Sequence, residues 1–158
     1  MLYAFLKTVH LLAIIVWVGG MVFAHFFLRP ALAQFEPPVR LRLMHAVLGR
    51  FFAAVLVAAG LTLATGGWMI ARVVRQVVQS GTAFTMPIEW IVMAALGGLM
   101  VLIFGHIRFV LYKRLARAVT SADWPTGATV LASLRTWVTV NLALGVFVIV
   151  ITLFGAAS

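Results

Sequence analysis

The chain has 158 residues, of which 65% are hydrophobic and 9% charged, more apolar surface than a water-soluble domain of this size can bury. A net charge of +9 does not mark a nucleic-acid binder, because the lysines and arginines gather at the ends of apolar segments, where they anchor to headgroups and set topology. Cysteine is absent, which excludes disulfides, iron–sulfur clusters and thiol catalysis and leaves histidine and methionine as the soft or borderline metal ligands.

A helix needs about 20 apolar residues to cross the hydrocarbon core of a bilayer, and four segments meet that length. The first is predicted over 3–28. Lys7 followed by an apolar run and Ala31-Leu32-Ala33 imitates a signal peptide, but the run is too long and Arg29-Pro30 interrupts it, so it reads as a membrane helix. Pro37-Pro38 forbids one continuous helix through two spans and predicts a tight hairpin, with the second helix over 44–71. Ser80-Gly81 and Pro87 break the connection from Gln76 to Met86. The third helix is predicted over 87–112 and the fourth over 126–156, the latter introduced by Asp123-Trp124-Pro125 as an N-cap and an early proline. The expectation is an all-α, up-down bundle of four transmembrane helices forming one domain over 1–158. Gly19-Gly20, Gly60, Gly66-Gly67, Gly97-Gly98 and Gly145 are placed for close helix packing in lipid, and glycine-rich faces also allow a homodimer.

Four spans put both termini on one side. That side holds Lys7, Arg72 and Arg75, against Arg29, Arg40, Arg42, Arg50, Arg108, Lys113, Arg114, Arg117 and Arg135 on the other. The second side is therefore expected to be cytoplasmic and the termini periplasmic or extracellular.

Polar groups inside a membrane are costly, so each is a functional candidate: His10, His25, His45, Arg50, Glu89, His106 and Asn141. On helix one, His10, Ile14, Trp17, Met21 and His25 fall within a sector of about 80°. This stripe suits a metal or a flat aromatic cofactor; the alternative is a packed face whose histidines bond to backbone or hydroxyl groups. His10 and His25 are about 22 Å apart along the axis and cannot share a small site. His25 lies at the level of His45 and His106, which can converge with it on copper, zinc or a haem iron, or can lie apart among headgroups. His10 shares a level with Met93, a His/Met pair of the kind that ligates haem iron or Cu(I), with Glu89 above it as an acidic gate. Methionine is also an ordinary core residue. No nucleophile–base–orienter set, carboxylate pair or phosphate-binding loop is visible, so no catalytic residue is assigned.

Lys7-Thr8-Val9-His10, Trp17-Val18-Gly19-Gly20, Phe23 and Leu28-Arg29-Pro30 resemble the opening helix of the copper-resistance protein D (CopD) family, and Arg50-Phe51-Phe52, Leu134-Arg135 and Asn141-Leu142 fit the same pattern. The resemblance implies a small, stand-alone, multi-pass domain of the bacterial plasma (inner) membrane. The more distantly similar HemJ-type protoporphyrinogen oxidases share the helix-one histidine and are haem b proteins, which implies His10 as a haem ligand. They carry a lysine early in helix three, where this chain has Trp90-Ile91-Val92-Met93-Ala94, so their oxidase activity is not carried over.

Three readings follow. In the first, haem b or a metal sits between helices in a redox-related protein, with His10, Met93 and Trp17 as the cofactor residues. In the second, a protein without haem binds or passes copper along His10, Met21, Met93, His25, His45 and His106. In the third, the chain is a structural membrane subunit. Membrane lipid is the expected surrounding partner in all three, and nucleic acid is not expected.

Overall fold

The computed structural model describes residues 1–81 and 86–155. Four helices long and apolar enough to span a bilayer make up nearly all of it: α1 (Leu2–Leu32), α2 (Pro37–Gln79), α3 (Ile88–Thr120) and α4 (Trp124–Gly155). Residues 82–85 of the expected outer connection and residue 156 at the expected end of the fourth helix lie outside the described residues.

The helices run antiparallel in sequence order. His10, early in α1, meets Gly66, late in α2; Leu41, early in α2, meets Gly127, early in α4; Glu89, early in α3, meets Gly155 at the end of α4. α1 packs chiefly on α2 and α3 chiefly on α4, with α4 also touching α1 and α2.

Each helix carries one long uncharged stretch: 8–28 in α1, 51–71 in α2 and 90–107 in α3, each bounded by charges at both ends, and 136–155 in α4, which follows Arg135. At 1.5 Å per residue these measure about 27–32 Å, the thickness of the hydrocarbon core, so they share one slab. The helices outrun it. α2, with 43 residues, is about 64 Å long against about 40–45 Å for a whole bilayer with headgroups.

The excess has a clear origin at three ends. Pro37 and Pro38 open α2 as its first helical residues, where a missing N–H costs nothing and the fixed φ suits the helix. The prolines thus start the helix seven residues ahead of the expected 44, and the turn shrinks to Ala33–Glu36. α3 continues past 112 because Tyr112–Thr120 is amphipathic: Leu115 and Ala118 face inward while Lys113, Arg114 and Arg117 are exposed. Asp123 caps α4, its carboxylate accepting from the Thr126 amide at 3.1 Å. Thr126, through its hydroxyl first and its amide second, holds that carboxyl below the usual carboxylate range. At the far end of α2, Ser80 closes the helix and Gly81 takes a left-handed φ of 71°, a conformation that favours glycine.

Beyond the slab at the basic face the four helices form a packed cap. Leu41, Leu111, Leu115, Leu131 and Leu134 are buried there and belong to the same core as Trp17, Met21, Phe52 and Phe104 inside the slab. Of the glycines expected to admit close packing, Gly20 lies under Phe51, Gly66 under His10, and Gly145 against Met100 and Val18. A Cβ added at Gly19, Gly60, Gly67, Gly97 or Gly98 would meet nothing within 4 Å.

Candidate functional site

The α1 stripe faces the bundle interior. His10, Trp17 and Met21 are buried, and Ile14 and His25 are half-buried on the same side. Two histidines mark its ends, and both are held by a threonine on a neighbouring helix.

His10, 9% exposed, places Nδ1 3.0 Å from Thr65 Oγ1 on α2. The Thr65 hydroxyl donates its only proton to the Leu61 carbonyl, so its oxygen accepts and His10 Nδ1–H donates. In that arrangement the proton sits on Nδ1 and Nε2 carries the lone pair, the state in which imidazole binds metal. The ring lies against Gly66, where a Cβ would sit 3.1 Å from Cε1, so the absence of a side chain at 66 makes room for it. Thr62, one turn before Thr65 on the same face, presents its carbonyl beside the ring and buries a hydroxyl that has no hydrogen-bond partner. Met69 follows Thr65 by one turn and is half-buried. Thr62, Thr65 and Met69 were not legible from α1; the signal for them is a Thr-x-x-Thr-Gly-x-x-Met run at helical spacing in the span that pairs with it.

His25 repeats the arrangement at the other end. Its Nδ1 lies 3.3 Å from Thr139 Oγ1, and the Thr139 hydroxyl also donates to the Arg135 carbonyl at 2.9 Å. The surroundings differ. His25 shares a cavity of about 30 Å³ with Arg29 and Arg135, two cations that oppose a third charge of the same sign.

His45 and His106 take separate partners. His45 stacks on Tyr112 with centroids 5.1 Å apart, and Tyr112 donates to the His45 carbonyl at 3.1 Å. His106 is exposed and meets the edge of Trp137 at 5.4 Å. Among the described residues no three His, Asp or Glu side chains gather as a metal cluster, and His25, His45 and His106 each meet a different partner, Thr139, Tyr112 and Trp137. Met93 is half-buried on α3, a helix that packs on α4 more than on α1, and Glu89 lies against Gly155. Trp17 is packed edge-on against Phe104 at 5.8 Å, as a wall and not an open face.

The bundle centre holds one further polar group. Asn141 is 1% exposed, its amide nitrogen and oxygen both lack partners, and it borders a void of about 10 Å³ with Trp17, Met21, Phe52 and Phe104. A void of that size admits about one water. Neither of these two cavities approaches the dimensions of a porphyrin.

Fold and site together define a small polytopic helical membrane protein with imidazole and thioether groups turned into its bundle. Residues 45–154 match the family model of Copper resistance protein D, and the chain belongs to the CopD family, which ties it to copper resistance at a membrane. The matched stretch begins in α2, so His10 and Trp17, on which the resemblance first rested, lie outside it. No curated protein and no solved structure matches the chain.

Proposed function

We propose that this protein binds Cu(I) within the membrane, at His10 in the outer half of the bundle. The observation that carries the reading is the buried His10 imidazole, whose Nδ1 is tied to Thr65 and whose Nε2 is left with a free lone pair. Cu(I) favours soft thioether and borderline imidazole donors. A thioether at the same level, from Met93 on α3 or Met69 on α2, completes the pair, and Met21, 2% exposed below it, offers a second soft donor on the way inward. His25 is set aside because Arg29 and Arg135 disfavour a cation there. With nine of twelve basic residues on the opposite face, the His10 end is read as periplasmic or extracellular. A C-terminal fusion active only in the cytoplasm would reverse this orientation.

The test is a titration of detergent-purified protein with Cu(I) against a chromophoric chelator. The natural sequence is expected to hold one tight equivalent, which His10→Ala loses and His25→Ala keeps. Thr65→Val, which removes the group that orients the ring, should weaken binding by about 10–100-fold. Copper retained in full by His10→Ala would refute the site. A Soret band in the natural protein, lost in His10→Ala, would replace copper by haem as the ligand.

A further inference from the structure

At the basic end, Arg29 on α1 and Arg135 on α4 line the 30 Å³ cavity, and Arg29 is repelled both by Arg135 and by Arg40 on α2. Three cations from three helices are thus held together, and no ion pair forms at any of them among the described residues. Arg40 also buries its Nε without a hydrogen-bond partner. Glu36 and Asp123, the two acids on this face, are both exposed, and Asp123 is committed to capping α4. Assembling like charges at a half-buried site is unfavourable unless an anion joins them.

The backbone helps to assemble the group. Ala24–Leu28 forms a π-turn in which the Arg29 N–H bonds to the Ala24 carbonyl five residues back. The extra residue in that turn sets Arg29 back by about one residue's rotation, towards the side of His25, with which it shares the cavity.

We propose that this cluster is a binding site for a phosphate group, supplied by the headgroup of an anionic phospholipid. Arginine guanidinium groups match phosphate oxygens in bidentate fashion. Depth selects the lipid. Arg29 and Arg135 are the first charges beyond the uncharged stretches 8–28 and 136–155, which puts them in the headgroup plane, where basic pockets between helices recognise lipid phosphates. Apart from His25 the rest of the lining is apolar, and Ala24 and Val138 carry it from the arginines into the uncharged stretches of α1 and α4, as the glycerol and upper acyl chain require. The site does not depend on the copper reading.

The full chain in neutral detergent is tested by native mass spectrometry and thermal unfolding with added phosphatidylglycerol, phosphatidylcholine or inorganic phosphate. One phosphatidylglycerol should bind saturably and raise the unfolding midpoint, with phosphatidylcholine doing neither. The double variant Arg29→Gln/Arg135→Gln should bind about tenfold more weakly or worse, while Arg114→Gln/Arg117→Gln, the same charge change on the exposed face of the cap, should keep binding. If the first double variant does not fold, Arg29→Lys and Arg40→Gln serve in its place, each expected to weaken binding. Equal binding of phosphatidylcholine, or equal loss in both double variants, would overturn the proposal. Inorganic phosphate reproducing the whole stabilisation would overturn the lipid source and assign a soluble anion.

Discussion

Leu115→Ala is expected to lower the unfolding free energy by about 2–5 kcal/mol, and to cost more than Leu142→Ala. Both leucines are buried, at 0% and 8% exposure, and the substitution removes the same atoms. They differ in solvent. Leu142 lies in the uncharged stretch of α4, where leaving the bundle means entering acyl chains, and burial between helices gains only packing. Leu115 lies seven residues past Arg108, in the cap, where unpacking exposes it to headgroups and water and the hydrophobic effect operates in full. Unfolding of the two variants in mixed micelles, read by helical circular dichroism, decides it. Equal losses would mean that the cap is submerged in the bilayer.

Asn141→Leu is expected to change stability in the opposite direction, raising it by about 1–3 kcal/mol. Both polar atoms of this amide are buried without partners, and replacing an unsatisfied polar group by an apolar one of similar volume removes its desolvation penalty. The same unfolding assay reads the result. A loss of stability instead would show that the amide normally binds a guest, and the adjoining 10 Å³ void limits that guest to a water or a single ion. Either way, such an expensive group at the centre of a membrane bundle points to function, and Cu(I) titration of the same variant tests whether it belongs to the copper path.

Much of this was legible in the sequence because bilayer thickness is a stringent ruler. Four uncharged stretches of 18 to 23 residues, 90–107 the shortest and 136–158 the longest, can be little else, and the period of His10, Trp17 and Met21 put them correctly on the inner face of α1. Two kinds of information were out of reach. Local ambiguity hid the helix ends: Pro37-Pro38 reads equally as a hairpin or as the first turn of a helix, and the basic run from Lys113 to Arg117 reads as a loop until Leu115 and Ala118 are seen to pack. Distance in the chain hid the partners. Thr65 is 55 residues from His10 and Thr139 is 114 from His25, and nothing in the spacing of α1 shows which hydroxyl will meet which ring. The same holds for His45 and His106, whose levels were readable but whose stacking on Tyr112 and Trp137 depends on helix rotation.

The π-turn at Ala24–Leu28 also determines how this chain tolerates changes of length. A turn that already contains one residue too many can lose one and close into an ordinary α-helical turn, leaving His10, Trp17 and Met21 on one flank and Arg29 on the other with their present directions. A deletion in the regular part of α1, between His10 and Trp17, has no such slack and swings every residue before it through about 100° relative to those after it, carrying the His10 ring off Thr65. Natural relatives that differ by one residue in this helix are therefore expected to show the gap at 24–28, and a designer who needs to shorten the chain should cut there.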